Sequence, residues 1–129
     1  MSNILIIDDD EYILFGLTKV MEAFVKNSKI SIARHGRQAV DILKTRSVDL
    51  IVTDLKMPIM NGYEVVAYAN KNHPSIPVYV MTADYLPDVK ERLRSAAISR
   101  FISKPFSFRE LAAEISCKLD AEQCLVPAW

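Results

Sequence analysis

Five side chains in this sequence can do chemistry together if a fold gathers them: the carboxylates of Asp8, Asp9 and Asp54, the hydroxyl of Thr82 and the ammonium of Lys104. Carboxylates a few ångströms apart repel, and one takes up a proton unless a cation intervenes. A hard divalent ion with oxygen ligands is the natural remedy. Mg²⁺ typically binds through one or two carboxylates together with substrate phosphate oxygens. Asp8, Asp9 and Asp54 suit that role; Lys104 supplies a second positive charge, and Thr82 a donor for a phosphoryl oxygen. Singly, each has an ordinary explanation. Acids after a strand often serve a helix N-terminus, which is all that Asp10 and Glu11 need do. Thr82 reads equally as a β-branched strand residue and Lys104 as a solvated lysine. Their joint placement carries the argument.

That placement depends on the elements around them. Five apolar runs read as strands: Asn3–Asp8, Lys29–Arg34, Asp49–Asp54, Ile76–Thr82 and Ile98–Ser103. They show little clean alternation, as expected of parallel strands covered on both faces. Between them lie helical periodicities over Tyr12–Val25, Gly36–Thr45, Asn61–Lys71, Asp88–Ala96 and Ser107–Leu119. The first carries Ile13, Leu14, Leu17, Val20, Met21 and Phe24 on one stripe, with helical spacing. Pro87 suits a first helical turn, and Ser107 with Glu110 forms a capping box. Strict alternation of strand and helix gives an α/β fold with one doubly wound parallel sheet, a single (βα)5 unit. In such sheets the functional crevice lies outside the carboxyl ends of the strands. Asp8 and Asp9, Asp54, Thr82 and Lys104 all stand at those ends.

The composition narrows the function classes. The chain has 129 residues, half of them hydrophobic, with 16 basic against 16 acidic. That profile fits one soluble globular domain and is too apolar for disorder. A net charge of zero gives no electrostatic reason for direct nucleic-acid binding. No apolar run approaches the roughly 20 residues that span a bilayer, and no signal-peptide core is present, so a cytoplasmic protein without membrane contact is expected. Cys117 and Cys124, seven apart, sit too far from one another on a single helix for a disulfide; reduced thiols are expected. His35 and His73 are isolated and read as surface residues. Residues 1–120 form the expected domain, and 121–129 a tail or the start of a linker.

At this point the sequence resembles the response-regulator receiver family over roughly residues 3–120. The segment Asp54-Leu55-Lys56-Met57-Pro58-Ile59-Met60-Asn61-Gly62 looks like the family's phosphoacceptor and the loop after it. Asp8-Asp9 behind Ile-Leu-Ile-Ile resembles its acidic metal pair, Thr82-Ala83 its switch hydroxyl with a small residue following, and Lys104-Pro105-Phe106 its lysine before a proline. Four motifs in the right order are highly specific.

The resemblance implies a flavodoxin-like sheet of strand order 2-1-3-4-5. It implies that Asp54 is the nucleophile and the modified residue, taking a phosphoryl group from the phosphohistidine of a sensor histidine kinase or a histidine phosphotransfer domain. Asp8, Asp9, Asp54 and the backbone carbonyl of Lys56 would hold Mg²⁺, Lys104 would pair with the phosphate, and Thr82 and Phe101 would act as the switch. Residues 88–120, spanning the fourth helix to the fifth, would form the output face for a homodimer or an effector domain. Such a chain is a two-component signalling switch and no turnover enzyme beyond phosphorylating itself and hydrolysing its own acyl phosphate. Phe101 lacks the hydroxyl of the commoner tyrosine, and Ala97-Ile98 replaces the frequent Gly-Ala, which leaves the fourth helix without an easy glycine cap. Lys56 and Asp84, each two beyond a site residue, are expected to pair across the mouth and modulate acyl-phosphate hydrolysis; the alternative is two solvated charges that do not interact.

Three rivals stand beside this reading. An aspartyl phosphohydrolase would use an Asp-x-Asp loop after its first strand, a spacing that Asp8-Asp9-Asp10 contains, but Glu11-Tyr12 follows with no room for a cap domain. A flavin- or nucleotide-binding domain needs a Gly/Ser/Thr-rich cradle there, and this chain has three glycines in all and places acids instead. A receiver-like interaction module independent of phosphorylation would keep the fold without using the site.

Overall fold

The strands and helices form because apolar residues recur on both faces of the strands and on one stripe of each helix. The structure, a computed structural model, describes residues 1–119. The order is β1 (Ser2–Ile7), α1 (Glu11–Phe24), β2 (Ser28–Ala33), α2 (Gly36–Thr45), β3 (Leu50–Asp54), α3 (Gly62–Asn72), β4 (Val78–Thr82), α4 (Leu86–Arg92), β5 (Arg100–Ser103) and α5 (Phe108–Leu119). All pairings are parallel, in the order β2-β1-β3-β4-β5, so the expected 2-1-3-4-5 sheet is the observed one.

Alternate residues of each strand feed opposite layers, because successive side chains of a strand point to opposite faces. Ile4, Ile6, Leu50, Val52 and Met81 meet Leu14, Leu17 and Met21 of α1 and Leu111 and Ile115 of α5. Leu5, Ile7, Ile51, Val78 and Val80 meet Leu43 of α2, Val65 and Val66 of α3, and Val89 of α4. With two covered faces, β3 and β4 are buried at every position.

The helix starts follow local chemistry. The Asp10 carboxylate accepts from the Tyr12 N–H and caps α1, while Glu11 pairs with Arg34. Neither therefore belongs to the metal-type cluster. His35, expected as a plain surface residue, is half-buried and caps α2, its Nδ1 accepting from the Gln38 N–H. Ser107 caps α5 by accepting from the Glu110 N–H at 3.2 Å.

Two expectations change. The fourth helix runs Leu86–Arg92, not Asp88–Ala96. Beyond it the chain makes three-residue turns, Arg94 N–H to Glu91 O and Ala96 N–H to Leu93 O. Cys117 is disulfide-bonded, not a reduced thiol. The expectation rested also on Cys124, which lies outside the described residues, as does the whole of the 121–129 tail reading. Among the described residues no helix is long and apolar enough to cross a membrane.

Candidate functional site

Sheet register brings the five residues together. Ile7 pairs with Thr53 across β1 and β3, so the next residues of the two strands, Asp8 and Asp54, reach the same rim. Asp54 pairs with Met81 on β4, one residue short of Thr82. Thr82 pairs with Ser103, and the Lys104 N–H donates to the Thr82 carbonyl at 2.8 Å. Five positions scattered along the chain thus converge at the carboxyl edge.

Carboxylate oxygens of Asp8, Asp9 and Asp54 lie within 4.8 Å of one another. Asp8 is wholly buried, Asp54 nearly so, and Asp9 exposed. Asp8 accepts from the Asp10 N–H at 2.9 Å with one oxygen and from Lys104 Nζ at 2.9 Å with the other. Lys104 Nζ also stands 3.4 Å from Asp54 Oδ1, which accepts from the Leu55 N–H at 2.9 Å. Burial, reinforced by the charge of Asp8, pushes the Asp54 carboxyl up to about 6 against the opposing pull of Lys104 and the Leu55 N–H. Burial works against the Lys104 ammonium, yet the Asp8 hydrogen bond and the charges of Asp54 and Asp8 outweigh it and leave this group raised. One ammonium shared among three carboxylates leaves the cluster short of positive charge. All-oxygen, partly buried donors fit a hard divalent cation, which such a site holds with waters completing the shell.

The Thr82 hydroxyl is buried and accepts from the Asp84 N–H at 3.0 Å. Lys56 and Asp84 do pair, Nζ to Oδ1 at 2.9 Å, linking the loops after β3 and β4. Phe101 is half-buried against the layer that includes Val89 and Leu93, with Lys90 Nζ 5.7 Å from its ring centroid.

Sequence reasoning missed the neighbouring wall. A cavity of about 430 Å³ opens beside the cluster, lined in part by Asp9, Leu55, Lys56, Asn61, Tyr63 and Arg92. The Arg92 guanidinium carbon stands over the Tyr63 ring, 3.7 Å from its centroid. Spacing gave no signal for that pair, since α3 and α4 are joined only through the fold. Gly62 also escaped its proper reading. It was legible as a turn residue, but its φ is not positive. Its role is close approach, because an added Cβ would stand 1.9 Å from the Asp54 carbonyl oxygen.

Comparison with known proteins agrees with this geometry. The chain matches the model of the response regulator receiver domain over residues 4–116. It is 33% identical to the probable transcriptional regulator ycf27 of Cyanidium caldarium over 88% of this chain and 44% of that protein. It is likewise 33% identical to the heme response regulator HssR of Staphylococcus epidermidis over 92% of this chain and 52% of that protein. The chain thus spans about half or less of the length of these curated relatives. Among solved structures, the CheY-like response regulator receiver domain protein of Methanospirillum hungatei superposes with a TM-score of 0.85 at 26% identity, covering 95% of this chain and 97% of that one. With the sheet order, the acidic rim and the matched residues in agreement, the chain belongs to the response regulator receiver domain family, whose standard role is a phosphorylation-dependent switch in two-component signalling.

Proposed function

We propose that this switch works through Asp54, which accepts a phosphoryl group from the phosphohistidine of a sensor histidine kinase or histidine phosphotransfer domain. The observation that carries the reading is the Asp54 carboxylate at the end of β3, fixed by the Leu55 N–H and faced by Lys104, with Asp8 and Asp9 in reach of the same point. An oxygen of Asp54 bonds to phosphorus, the phosphorus–nitrogen bond breaks, and the imidazole departs with the bonding electrons. Phosphoryl transfer is mainly positioning and charge neutralisation, and the side chains serve those ends. Asp8, Asp9, Asp54 and the Lys56 backbone carbonyl would hold Mg²⁺, which when bound supplies positive charge for the phosphoryl oxygens. Lys104 exchanges its contact with Asp54 for one with the new phosphate, and the Thr82 hydroxyl donates to a phosphoryl oxygen.

In this reading Thr82 and Phe101 report the modification to the face formed by residues 88–120, where an effector domain or a second copy docks. A local charge change is then read out by a surface with two arrangements. Residues 1–120 are the receiver unit and 121–129 a tail or linker start, in a cytoplasmic protein that touches neither nucleic acid nor membrane directly. The ion pair of Lys56 with Asp84 spans the site mouth and modulates hydrolysis of the acyl phosphate; Lys56→Ala and Asp84→Ala should each change the dephosphorylation rate.

Incubation with Mg²⁺ and acetyl phosphate followed by intact mass tests the acceptor. A gain of one phosphoryl group, absent in Asp54→Asn, is expected, as for nucleophilic catalysis by a carboxylate. No gain, or gain that survives the substitution, would leave a phosphorylation-independent interaction module as the better reading.

A further inference from the structure

The cavity beside Asp54 has a chemistry of its own. Leu55 and Lys56, the two residues after Asp54, form one wall, and Tyr63 with Arg92 forms another. The cations on these walls differ. Lys56 is neutralised by Asp84 at 2.9 Å. Arg92 has no carboxylate partner within ion-pair distance among the described residues, and its guanidinium carbon sits 3.7 Å from the Tyr63 ring centroid instead. A guanidinium held over an aromatic face keeps N–H donors free for a ligand. Those donors form a fork suited to two oxygens of a carboxylate.

An anion here answers a specific need. Asp8, Asp9 and Asp54 make the rim hostile to negatively charged donors. Lys104, committed to Asp8 and Asp54, serves the phosphoryl end only. A donor whose leaving group is itself a carboxylate gains nothing from those residues at the moment that carboxylate's charge appears. We propose that the cavity is a subsite for the leaving carboxylate of a small acyl phosphate, with Arg92 as its binding residue. The inference rests on Asp54 being the phosphoacceptor. In the step, an Asp54 oxygen bonds to phosphorus while the bond from phosphorus to the acyl oxygen breaks. The electron pair stays on that oxygen, so the products are aspartyl phosphate and a free carboxylate, and Arg92 receives the latter. Phosphoramidate presents no carboxylate, because its phosphorus–nitrogen bond breaks and ammonia leaves.

The test compares two donors on the full chain with Mg²⁺: acetyl phosphate and phosphoramidate. Arg92→Gln should slow phosphorylation by acetyl phosphate about three- to tenfold, the scale of one partly exposed charge-assisted contact. The loss should appear chiefly in the maximal rate, because the carboxylate exists only as the phosphorus–oxygen bond breaks, and Arg92→Lys should recover part of it. The rate with phosphoramidate should stay within about twofold of the parent, which shows that the fold and acceptor are intact. Equal slowing with both donors, or no slowing with acetyl phosphate, overturns the subsite. Failure of the parent chain to react with either donor, or reaction that survives Asp54→Asn, overturns the acceptor assignment instead.

Discussion

Gly62 packs against Asp54 so closely that a Cβ on its α-carbon would stand 1.9 Å from the Asp54 carbonyl oxygen and 2.7 Å from the Leu55 α-carbon. Its N–H donates to the Leu55 carbonyl at 2.8 Å, so the start of α3 is pinned directly beneath the candidate acceptor. Backbone, unlike a flexible side chain, cannot yield by that much. Gly62→Ala should cost about 3 kcal/mol or more of stability and displace Asp54. Urea unfolding checks the first and loss of phosphorylation the second. A variant that unfolds like the parent would show that the contact relaxes.

Much of this was legible beforehand, and the reason is the parallel sheet. Its strands end at one edge, so any residue terminating an apolar run of this β-α alternation is a rim residue; Asp8, Asp54, Thr82 and Lys104 are found that way. What the linear pattern cannot show is which rim residues pair with one another. Lys104 reads as a solvated lysine until the register of β4 and β5 carries it to Asp8. The end of α4 was misread for a different reason. Leu93, Ala96 and Ala97 continue a helical spacing, but Leu93 and Glu91 take the backbone into tighter turns. Arg92 and Tyr63 carry no local signal at all.

Lys104 is expected to stabilise the metal-free protein as well as serve the phosphate. Asp8 is wholly buried, and Lys104 is its one ion-pair partner among the described residues. Removing one member of a buried pair strands the other, at a typical cost of 3–5 kcal/mol, tempered here because Lys104 keeps some solvent contact. Lys104→Met should lower stability in EDTA by about 2 kcal/mol, and millimolar Mg²⁺ should restore part of that loss if the cluster binds the ion. An unchanged midpoint in EDTA would show that the buried Asp8 does not depend on Lys104 for its stability.

The Asp54 carboxyl gives a pH dependence whose sign is fixed by its environment. Its folded value, pushed up to about 6, exceeds the ordinary 3.8. Between those values the folded chain binds more protons than the unfolded one, so stability falls as pH rises through that window. In EDTA, Asp54→Asn should therefore be more stable than the parent by about 1–3 kcal/mol above pH 6, with the difference closing toward pH 4. Added Mg²⁺ should stabilise the parent and leave the variant largely unmoved. Melts that superpose at every pH would contradict the burial argument.

Ile59 sits in the loop between β3 and α3 with φ of 69° and four-fifths of its surface exposed. A β-branched residue in the left-handed region is strained, and this side chain recovers little by packing. Asparagine adopts that conformation more readily. Ile59→Asn should raise stability by about 0.5–1 kcal/mol in thermal melts, with the phosphorylation rate unchanged. A lower melting temperature would mean that Ile59 makes contacts which offset its strain.

The absent glycine at position 97 is answered by Asn70. Its amide oxygen accepts from the Ala97 N–H at 2.7 Å, and its amide nitrogen donates to the Ala97 carbonyl at 3.3 Å. A side chain of α3 thus does for Ala97 what a neighbouring backbone would do, and it ties the turn after α4 to the helix that begins beside Asp54. Asn70→Ala removes both bonds and leaves Ala97 to water, for a cost of about 1–2 kcal/mol. Asn70→Asp keeps the acceptor and loses the donor, so its cost should be smaller. Hydrogen exchange separates a local effect from a global one. If Asn70 is the clamp, amide protection should drop over residues 93–99 in the alanine variant while β1 and β3 keep theirs. Uniform loss across the sheet would mean that the amide serves general stability and not the turn.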